Sequence, residues 1–366
     1  MKNNIAVVVL TYNGKKYLPD LFASVQKTVC DRSWQLIVVD NASTDGTAEL
    51  LVQLASVPPL NVRGGEEGLY SPFIIYNSTN AGFAEGNNVG IRKALADGVE
   101  YVVLLNHDTV VEPDWLTELV RAVESDELVG AVQARLMLAD KKDTVNSLGN
   151  EIHFLGFGYA GGYRERFEIS KYRNIETREV AYASGAAVLY RAKALKDVGL
   201  FDASLWMYHD DLDLGWRLWR AGWKSVLAPE SVVYHKYEFS RSIKKYYYME
   251  RNRFLVLLEN YSFATLVLIF PALLFMEIGL FVKAIVSGWG MEKLRAYVYF
   301  FRWSTWRMIF AKRKEKQKSF RRPERELLAR FTGVIAFQDI QNPVLTYIVN
   351  PILTLYLQII KRIVWW

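Results

Sequence analysis

Short apolar runs alternate along the chain with stretches of helical spacing. Ile5 to Leu10 is a continuous, Val-rich run that ends in Thr11, Tyr12, Asn13 and Gly14. Leu36 to Val39 is a second run, ending in Asp40, Asn41 and the turn-like Asp45-Gly46. Between them Leu18, Leu21, Phe22 and Val25 recur at the three- and four-residue steps of a helix face. Thr47 to Leu54 reads as the next helix, Phe73 to Tyr76 as a third strand, Asn88 to Ala96 as a helix, and Tyr101 to Leu105 as a strand running into Asn106, His107 and Asp108. Strands this uniformly apolar are buried on both faces, and alternation with helices predicts an α/β fold with a mainly parallel sheet and right-handed crossovers.

That topology brings the polar strand ends Thr11, Asp40 and Asp108 to one carboxyl edge, where open α/β sheets bind nucleotides. GxGxxG after the first strand and GxxxxGK[ST] are both missing, so neither a dehydrogenase nor a P-loop mode of holding phosphate is expected. A carboxylate at the second strand exit suits a base or ribose, which gives a role to Asp40 and to Asp45, although Asp45-Gly46 also has the sequence of a plain turn. Asp108 is a candidate metal ligand, with turn opening as its bland alternative. Asn80 to Gly90, NAGFAEGNNVG, is expected to be a Gly-rich loop that lets backbone approach a sugar or phosphate.

Composition narrows the partners. The 366 residues carry a net charge of +6, eleven Trp and twenty-one Tyr, the balance of a protein that meets nucleic acid or an anionic membrane. Nucleic acid is disfavoured, because the basic residues cluster beside apolar helices rather than along a face with interleaved aromatics. A single cysteine, Cys30, excludes an intrachain disulfide and a CxxC metal site. No secretory signal pattern precedes Ile5, so the bulk of the chain is expected in the cytoplasm.

The last third differs. Phe263 to Met276 holds fourteen residues without a charge, about 21 Å of helix against a bilayer core of about 30 Å. Extension to Val282 includes Glu277, and Pro271 is expected to interrupt the middle, so an embedded or re-entrant helix is favoured over a clean span. Lys312 to Arg325 carries eight Lys or Arg against Glu315 and Glu324, a solvated face that would hold to anionic lipid. Val344 to Trp366 is largely apolar and ends in Trp365-Trp366, a composition that suits a membrane interface. A soluble helical subdomain or a homo-oligomer interface is the alternative.

The ordered set VVVLTYNG (Val7 to Gly14), VVDNASTDGT (Val38 to Thr47), NAGFAEGNN (Asn80 to Asn88), LLNHDT (Leu104 to Thr109), SGAAVLYR (Ser184 to Arg191), VGLFD (Val198 to Asp202) and MYHDDLDLGWRLWRAG (Met207 to Gly222) resembles the family 2 glycosyltransferases of GT-A fold, in the branch that includes bacterial rhamnosyltransferases. The resemblance spans roughly residues 5 to 255. It implies a GT-A catalytic domain over residues 1–255 and a helical, membrane-associated region over 256–366.

It also implies roles. Thr11, Asn13, Asp40, Asn41, Asp45, Asn80, Gly82, Phe83, Gly86, Asn87, Asn106 and Arg251 would contact a nucleotide-diphosphate sugar. Asn106 and Asp108 stand where the family has its Asp-X-Asp metal motif; Asn in the first position leaves Asp108 the stronger ligand for Mg²⁺ or Mn²⁺. Asp210 and Asp211 match the acidic pair, with Asp211 as general base and Asp in place of the usual Glu at 210. Both, with Asp213, also sit where acidic residues favour a helix dipole by about 0.3 to 1 kcal/mol each. His235, with Ser240 after it, would bind the metal or the diphosphate, or serve as a structural hydrogen-bonder. Arg251 and Asn252 also match the family. The implied activity is inverting, metal-dependent transfer of a sugar, L-rhamnose from dTDP-rhamnose first, to a lipid-linked or polysaccharide acceptor at the cytoplasmic face of the cell membrane. A UDP-sugar transferase of the same fold and a noncatalytic membrane-bound glycan-binding or scaffold protein are the rivals.

Overall fold

The computed structural model describes residues 4–56, 71–168, 170, 175–237, 243, 245–336 and 343–366; Ser240 lies outside them. The chain opens with β1 (Ile5–Thr11), α1 (Leu18–Val25), β2 (Trp34–Asp40), α2 (Thr47–Ala55), β3 (Phe73–Tyr76), α3 (Gly82–Asp97) and β4 (Tyr101–Asn106). Next come β5 (Thr109–Val111), α4 (Trp115–Glu124), β6 (Val129–Leu138), β7 (Val145–Ser147), β8 (Asn150–Ile152), β9 (Gly158–Ala160), β10 (Arg178–Glu179), β11 (Ala187–Arg191) and α5 (Ala192–Val198). The acidic helix α6 (Asp210–Arg220) and the long strand β12 (Lys224–His235) precede the helices α7 (Lys245–Asn260), α8 (Phe263–Val286), α9 (Gly290–Tyr299), α10 (Trp303–Gln317), α11 (Glu324–Leu328) and α12 (Asn350–Ile363).

The strand order is β10-β12-β6-β11-β4-β1-β2-β3, with β5 added on β12 and β7 on β6. From β4 to β3 every pairing is parallel, as the apolar runs require. β11 then runs antiparallel to both β4 and β6, so the sheet is mixed beyond β4. All seven residues of β1 are buried. Register aligns Thr11 with Asp40, Asp40 with Tyr76, and Leu10 with Asn106, so these strand exits share one edge.

One expected loop is helix. Asn80 to Gly90 does not stay open, because α3 already begins at Gly82. The glycines serve packing: a Cβ on Gly86 would stand 2.6 Å from Leu10 and one on Gly90 2.3 Å from Val8, so their absence lets α3 lie directly on β1. Gly82, at φ +79°, makes the entry turn against Trp206.

Two compact units divide the chain. The first is residues 1–150, 160–206 and 223–238, and the second residues 151–159, 207–222 and 239–366, so α6 groups with the C-terminal helices. In the second unit α8 is one continuous helix of 24 residues, about 36 Å long, and Pro271 does not interrupt it. Next to the carbonyl that Pro271 leaves without a donor, the Tyr356 hydroxyl donates to Leu268 O at 2.7 Å. Glu277 is tolerated in this apolar helix because Arg253 and Lys293 both pair with it. The basic run is not wholly a solvated face either: Arg313 and Lys316 turn inward.

Candidate functional site

At the sheet edge of the first unit, Asp40 is buried and its Oδ1 accepts from the Ser43 hydroxyl at 2.5 Å. Asn41 is the hub of the edge. Its Nδ2 donates to Asn80 Oδ1 (3.0 Å) and Gly82 O (3.1 Å), while its Oδ1 accepts from Asn77 Nδ2 and Ala81 N, both at 3.0 Å. All four bonding positions are filled, so Asn41 shapes the edge from beneath. Asn80 is fixed in turn, its Oδ1 also accepting from Gly82 N at 2.9 Å.

Asn13, at φ +52°, clips the first strand exit to the second: its N–H donates to Ser43 Oγ and its Oδ1 accepts from Thr44 N, each at 2.8 Å. Asp45 opens α2, accepting from Thr47 Oγ1 at 2.5 Å and from Lys15 N at 3.2 Å. Slight burial raises its carboxyl, but these bonds outweigh it and hold the group below the usual range. Asn87 bonds its own helix through Phe83 O, and Phe83 stacks obliquely on Phe201. Of the α3 residues, Gly86 and Asn87 are therefore engaged in packing.

Asp108 and His235 meet because β5 pairs antiparallel with β12 and sets Thr109 opposite His235. His235 Nε2 lies 3.3 Å from Asp108 Oδ1, and its Nδ1 is 3.0 Å from Asn146 Oδ1. Asp108 Oδ1 is buried and receives no well-formed hydrogen bond among the described residues. Burial raises this carboxyl; the facing His235 ring, aided by His107, lowers it further, for a net shift downward. With His235 Nδ1 turned to Asn146, its Nε2 and Asp108 Oδ1 face one another as a nitrogen and oxygen donor set that a cation would take up. The Thr11 hydroxyl is a second buried atom without a hydrogen-bond partner among the described residues. Asn106, half-buried at the end of β4, gives its carbonyl to the Thr109 hydroxyl at 2.7 Å. Among the described residues no three His, Cys, Asp or Glu side chains converge on one point. Asp108 and His235 thus fit a hard cation that takes its other ligands from a diphosphate and water.

The acidic pair belongs to the second unit. Asp210 is buried at the first turn of α6, and its Oδ2 has no hydrogen-bond partner among the described residues. Burial first, and then the neighbouring Asp211 carboxylate, push its pKa well above the usual range, which favours its protonated form. Asp211 is only half-buried. The two carboxyls therefore differ in environment, which separates a proton-holding acid from a carboxylate able to accept one. Asp213 anchors the helix instead, accepting from Arg217 Nε (2.8 Å), Lys316 Nζ (2.7 Å) and Asn260 Nδ2 (2.8 Å).

The backbone before the pair is strained, with Tyr208 at φ +65° and His209 at φ +63°. Asn252 holds it by donating to Met207 O and Tyr208 O, and Arg251 in turn donates to Asn252 Oδ1 at 2.7 and 2.9 Å. Arg251 thus stands beside the acidic turn, behind Asn252. Asn146, Asn77 and Ser43 carry this geometry, although sequence reasoning gives none of them a role. Nothing local distinguishes Asn146, since its partner His235 lies 89 positions away.

A large, mostly parallel α/β sheet flanked by helices, with acidic and amide groups at its carboxyl edge, is the architecture of the GT-A fold. Residues 6–199 match the model of Glycosyl transferase family 2, and the chain belongs to that family. It is 29% identical over 250 residues to the N-acetylglucosaminyl-diphospho-decaprenol L-rhamnosyltransferase of Mycobacterium tuberculosis, covering 64% of this chain and 76% of that protein. The structure of GalNAc-T7 with UDP, GalNAc and Mn²⁺ superposes with a TM-score of 0.54 at 15% identity, over 70% of this chain and 48% of that one. A mannosyltransferase from Pyrobaculum calidifontis, in complex with GDP-Man and Mn²⁺, gives 0.50 at 15% identity, over 87% and 86%. These two likenesses speak to the fold.

Proposed function

We propose that this glycosyltransferase moves a sugar, L-rhamnose from dTDP-rhamnose in the first instance, onto a lipid-linked glycan acceptor with inversion at the anomeric carbon. The acceptor hydroxyl oxygen bonds to the anomeric carbon as the bond from that carbon to the diphosphate oxygen breaks. The hydroxyl proton passes to the Asp211 carboxylate, and the nucleoside diphosphate leaves. General-base help of this kind is worth about 10² to 10⁴ in rate. Asp40 holds the base or ribose; Thr11 and Asn106 face the donor; Asn13, Asn41, Asn80, Gly82 and Asp45 fix the edge that receives it. Asp108 and His235 would hold Mg²⁺ or Mn²⁺, which supplies charge neutralisation to the departing diphosphate.

The observation that carries this reading is the pair of contrasted carboxyls at the start of α6, Asp210 buried and Asp211 half-exposed. The likeness to a relative whose name specifies a diphospho-decaprenol acceptor and L-rhamnose supports the choice of substrates. A UDP-sugar donor is the second reading. Residues 1–255 would form the catalytic region and residues 256–366 would hold it to the cytoplasmic membrane face, where α8 and α12 expose apolar side chains.

The test is turnover of a panel of nucleotide sugars by detergent-purified protein with Mg²⁺ or Mn²⁺ and membrane lipid extract, for wild type and Asp211→Asn. Transfer from dTDP-rhamnose that Asp211→Asn lowers by about 10²-fold or more is expected; transfer from a UDP-sugar alone would replace the donor, and equal turnover by both proteins would end the assignment of Asp211. Mn²⁺ titration by electron paramagnetic resonance, with the nucleoside diphosphate present, should weaken in Asp108→Asn.

A further inference from the structure

Between α7 and α9, and closed off by Arg302 ahead of α10, lies a groove of about 510 Å³. Two kinds of side chain line it. Tyr247 and Tyr248 of α7 and Tyr299 of α9 surround the Arg251 guanidinium, whose carbon sits 5.5, 5.3 and 5.3 Å from their ring centroids. Arg295 and Arg302 add two exposed cations; Arg295 is steadied by Glu292 at 2.7 Å, and Arg302 makes no ion pair among the described residues. Among the described residues Glu292 is the one acidic group lining the groove, against Arg295 and Arg302, so its charge is net positive. Beside Arg295 and Tyr299, on the same face of α9, Met291, Leu294 and Val298 follow each other at helical spacing, all exposed.

Cations and phenol hydroxyls beside an aliphatic stripe match an amphiphile with an anionic head. A soluble anion has no use for the stripe, and a neutral glycan has none for two arginines. The groove also communicates with the acidic helix: Arg251 bonds Asn252, and Asn252 bonds the carbonyls of Met207 and Tyr208, three and two residues ahead of Asp210.

We propose that this groove is the acceptor-lipid site, taking the phosphate of a polyprenyl-phosphate-linked acceptor at Arg295 and Arg302 and its first isoprene units along Met291, Leu294 and Val298. The proposal rests on the transferase reading for the meaning of the site, and its test does not require turnover. Full-length protein is bound, without donor or metal, to nanodiscs of phosphatidylcholine, of phosphatidylcholine with phosphatidylglycerol, and of phosphatidylcholine with an equal mole fraction of undecaprenyl phosphate.

Wild type should favour the undecaprenyl phosphate discs over the phosphatidylglycerol discs by about tenfold. Arg302→Ala combined with Arg295→Ala, and separately Val298→Glu, should abolish the preference at an unchanged thermal midpoint, while Lys314→Ala, outside the groove, should keep it. Equal binding of wild type to both anionic discs would reduce the groove to a general headgroup contact and overturn the proposal; so would a preference that survives in the groove variants. If the preference is absent while Asp211→Asn still abolishes transfer, the groove assignment alone fails. If it is present while no donor is turned over, the transferase reading alone fails.

Discussion

Asn252 donates the two hydrogens of its side-chain amide to the consecutive carbonyls of Met207 and Tyr208, each at 2.8 Å. Tyr208 and His209 both lie in the left-handed region, at a cost of about 1 to 3 kcal/mol each. Such a turn persists only if its surroundings over-determine it. Asn252 supplies one restraint, and the His209 ring, 3.1 Å from Gly156 O, supplies another. Burial and the nearby Arg253 cation press the pKa of that ring down to about 4, so the restraint is made by a neutral imidazole.

Asn252→Ala should therefore act on rate more than on donor affinity. Removing both amide donors frees the turn that aims Asp210 and Asp211, and a shift of about 1 Å in a reacting group costs about 10²-fold. We expect kcat to fall by about that factor with KM for the donor within about twofold of wild type, measured by steady-state kinetics. A rise in KM at constant kcat would assign Asn252 to donor binding instead.

Asp210 makes stability depend on pH. Its folded pKa lies above the unfolded value of about 3.9, so the native state binds a proton that the unfolded state releases in the window between the two. Stability from this group is complete below the unfolded pKa and is lost as pH rises through the folded one. Asp210→Asn, a neutral substitute, should flatten that loss: its thermal midpoint should gain on wild type as pH is raised from about 4 to about 8, across the range in which an ordinary carboxyl is already ionised. Parallel curves for the two proteins would show that Asp210 is ionised in the fold.

Lys316 stands 103 positions after Asp213, yet its ammonium lies 2.7 Å from that carboxylate and 2.5 Å from Glu259. The basic run containing it supports the acidic helix from inside the second unit. Lys316→Met leaves two buried carboxylates with one fewer cation, and breaking a buried pair this way costs about 3 to 5 kcal/mol. Urea unfolding should report a loss of that size, whereas Lys314→Met, exposed two residues earlier, should stay within about 0.5 kcal/mol.

The sheet is legible in the sequence because buried parallel strands leave unbroken apolar runs, and Ile5, Trp34, Phe73 and Tyr101 open strands at or within two residues of where those runs begin. Asp108 and Asp40 are legible as polar strand exits. The NAGFAEGNN stretch reads as loop because glycine is costly in a helix on propensity alone, and the gain of close contact with Leu10 and Val8 depends on strands about eighty residues away. Lys316 misleads for the same reason, since a lysine in a basic run looks solvated until its distant partner is known. Positive φ at Tyr208 and His209 leaves no trace in residue type. What pattern does not carry, in each case, is a tertiary partner.

Helix α8 presents an apolar face opposite its packed side. Thr265, Ile269, Ala272, Met276, Leu280 and Ala284 are buried, while Val267, Phe270, Leu274, Ile278 and Val282, on the other side, are each at least half exposed. Ile352, Leu355 and Ile359 of α12 extend the set of exposed apolar side chains in the same unit. A soluble surface rarely leaves so much contiguous apolar area uncovered. The buried side of α8 is occupied by the chain's own helices, which favours a helix lying in the interface over an isolated span. Charges at Val267→Lys and Leu274→Lys would not disturb the packed side, so the fold should persist, with an unchanged near-ultraviolet circular dichroism spectrum. The expected outcome is release from liposomes of phosphatidylcholine and phosphatidylglycerol in a flotation assay, together with loss of transfer to a membrane-borne acceptor. If the double variant still floats with the liposomes, α8 is not the contact; if it is released and yet transfers as well as wild type, the acceptor does not have to be reached at the membrane.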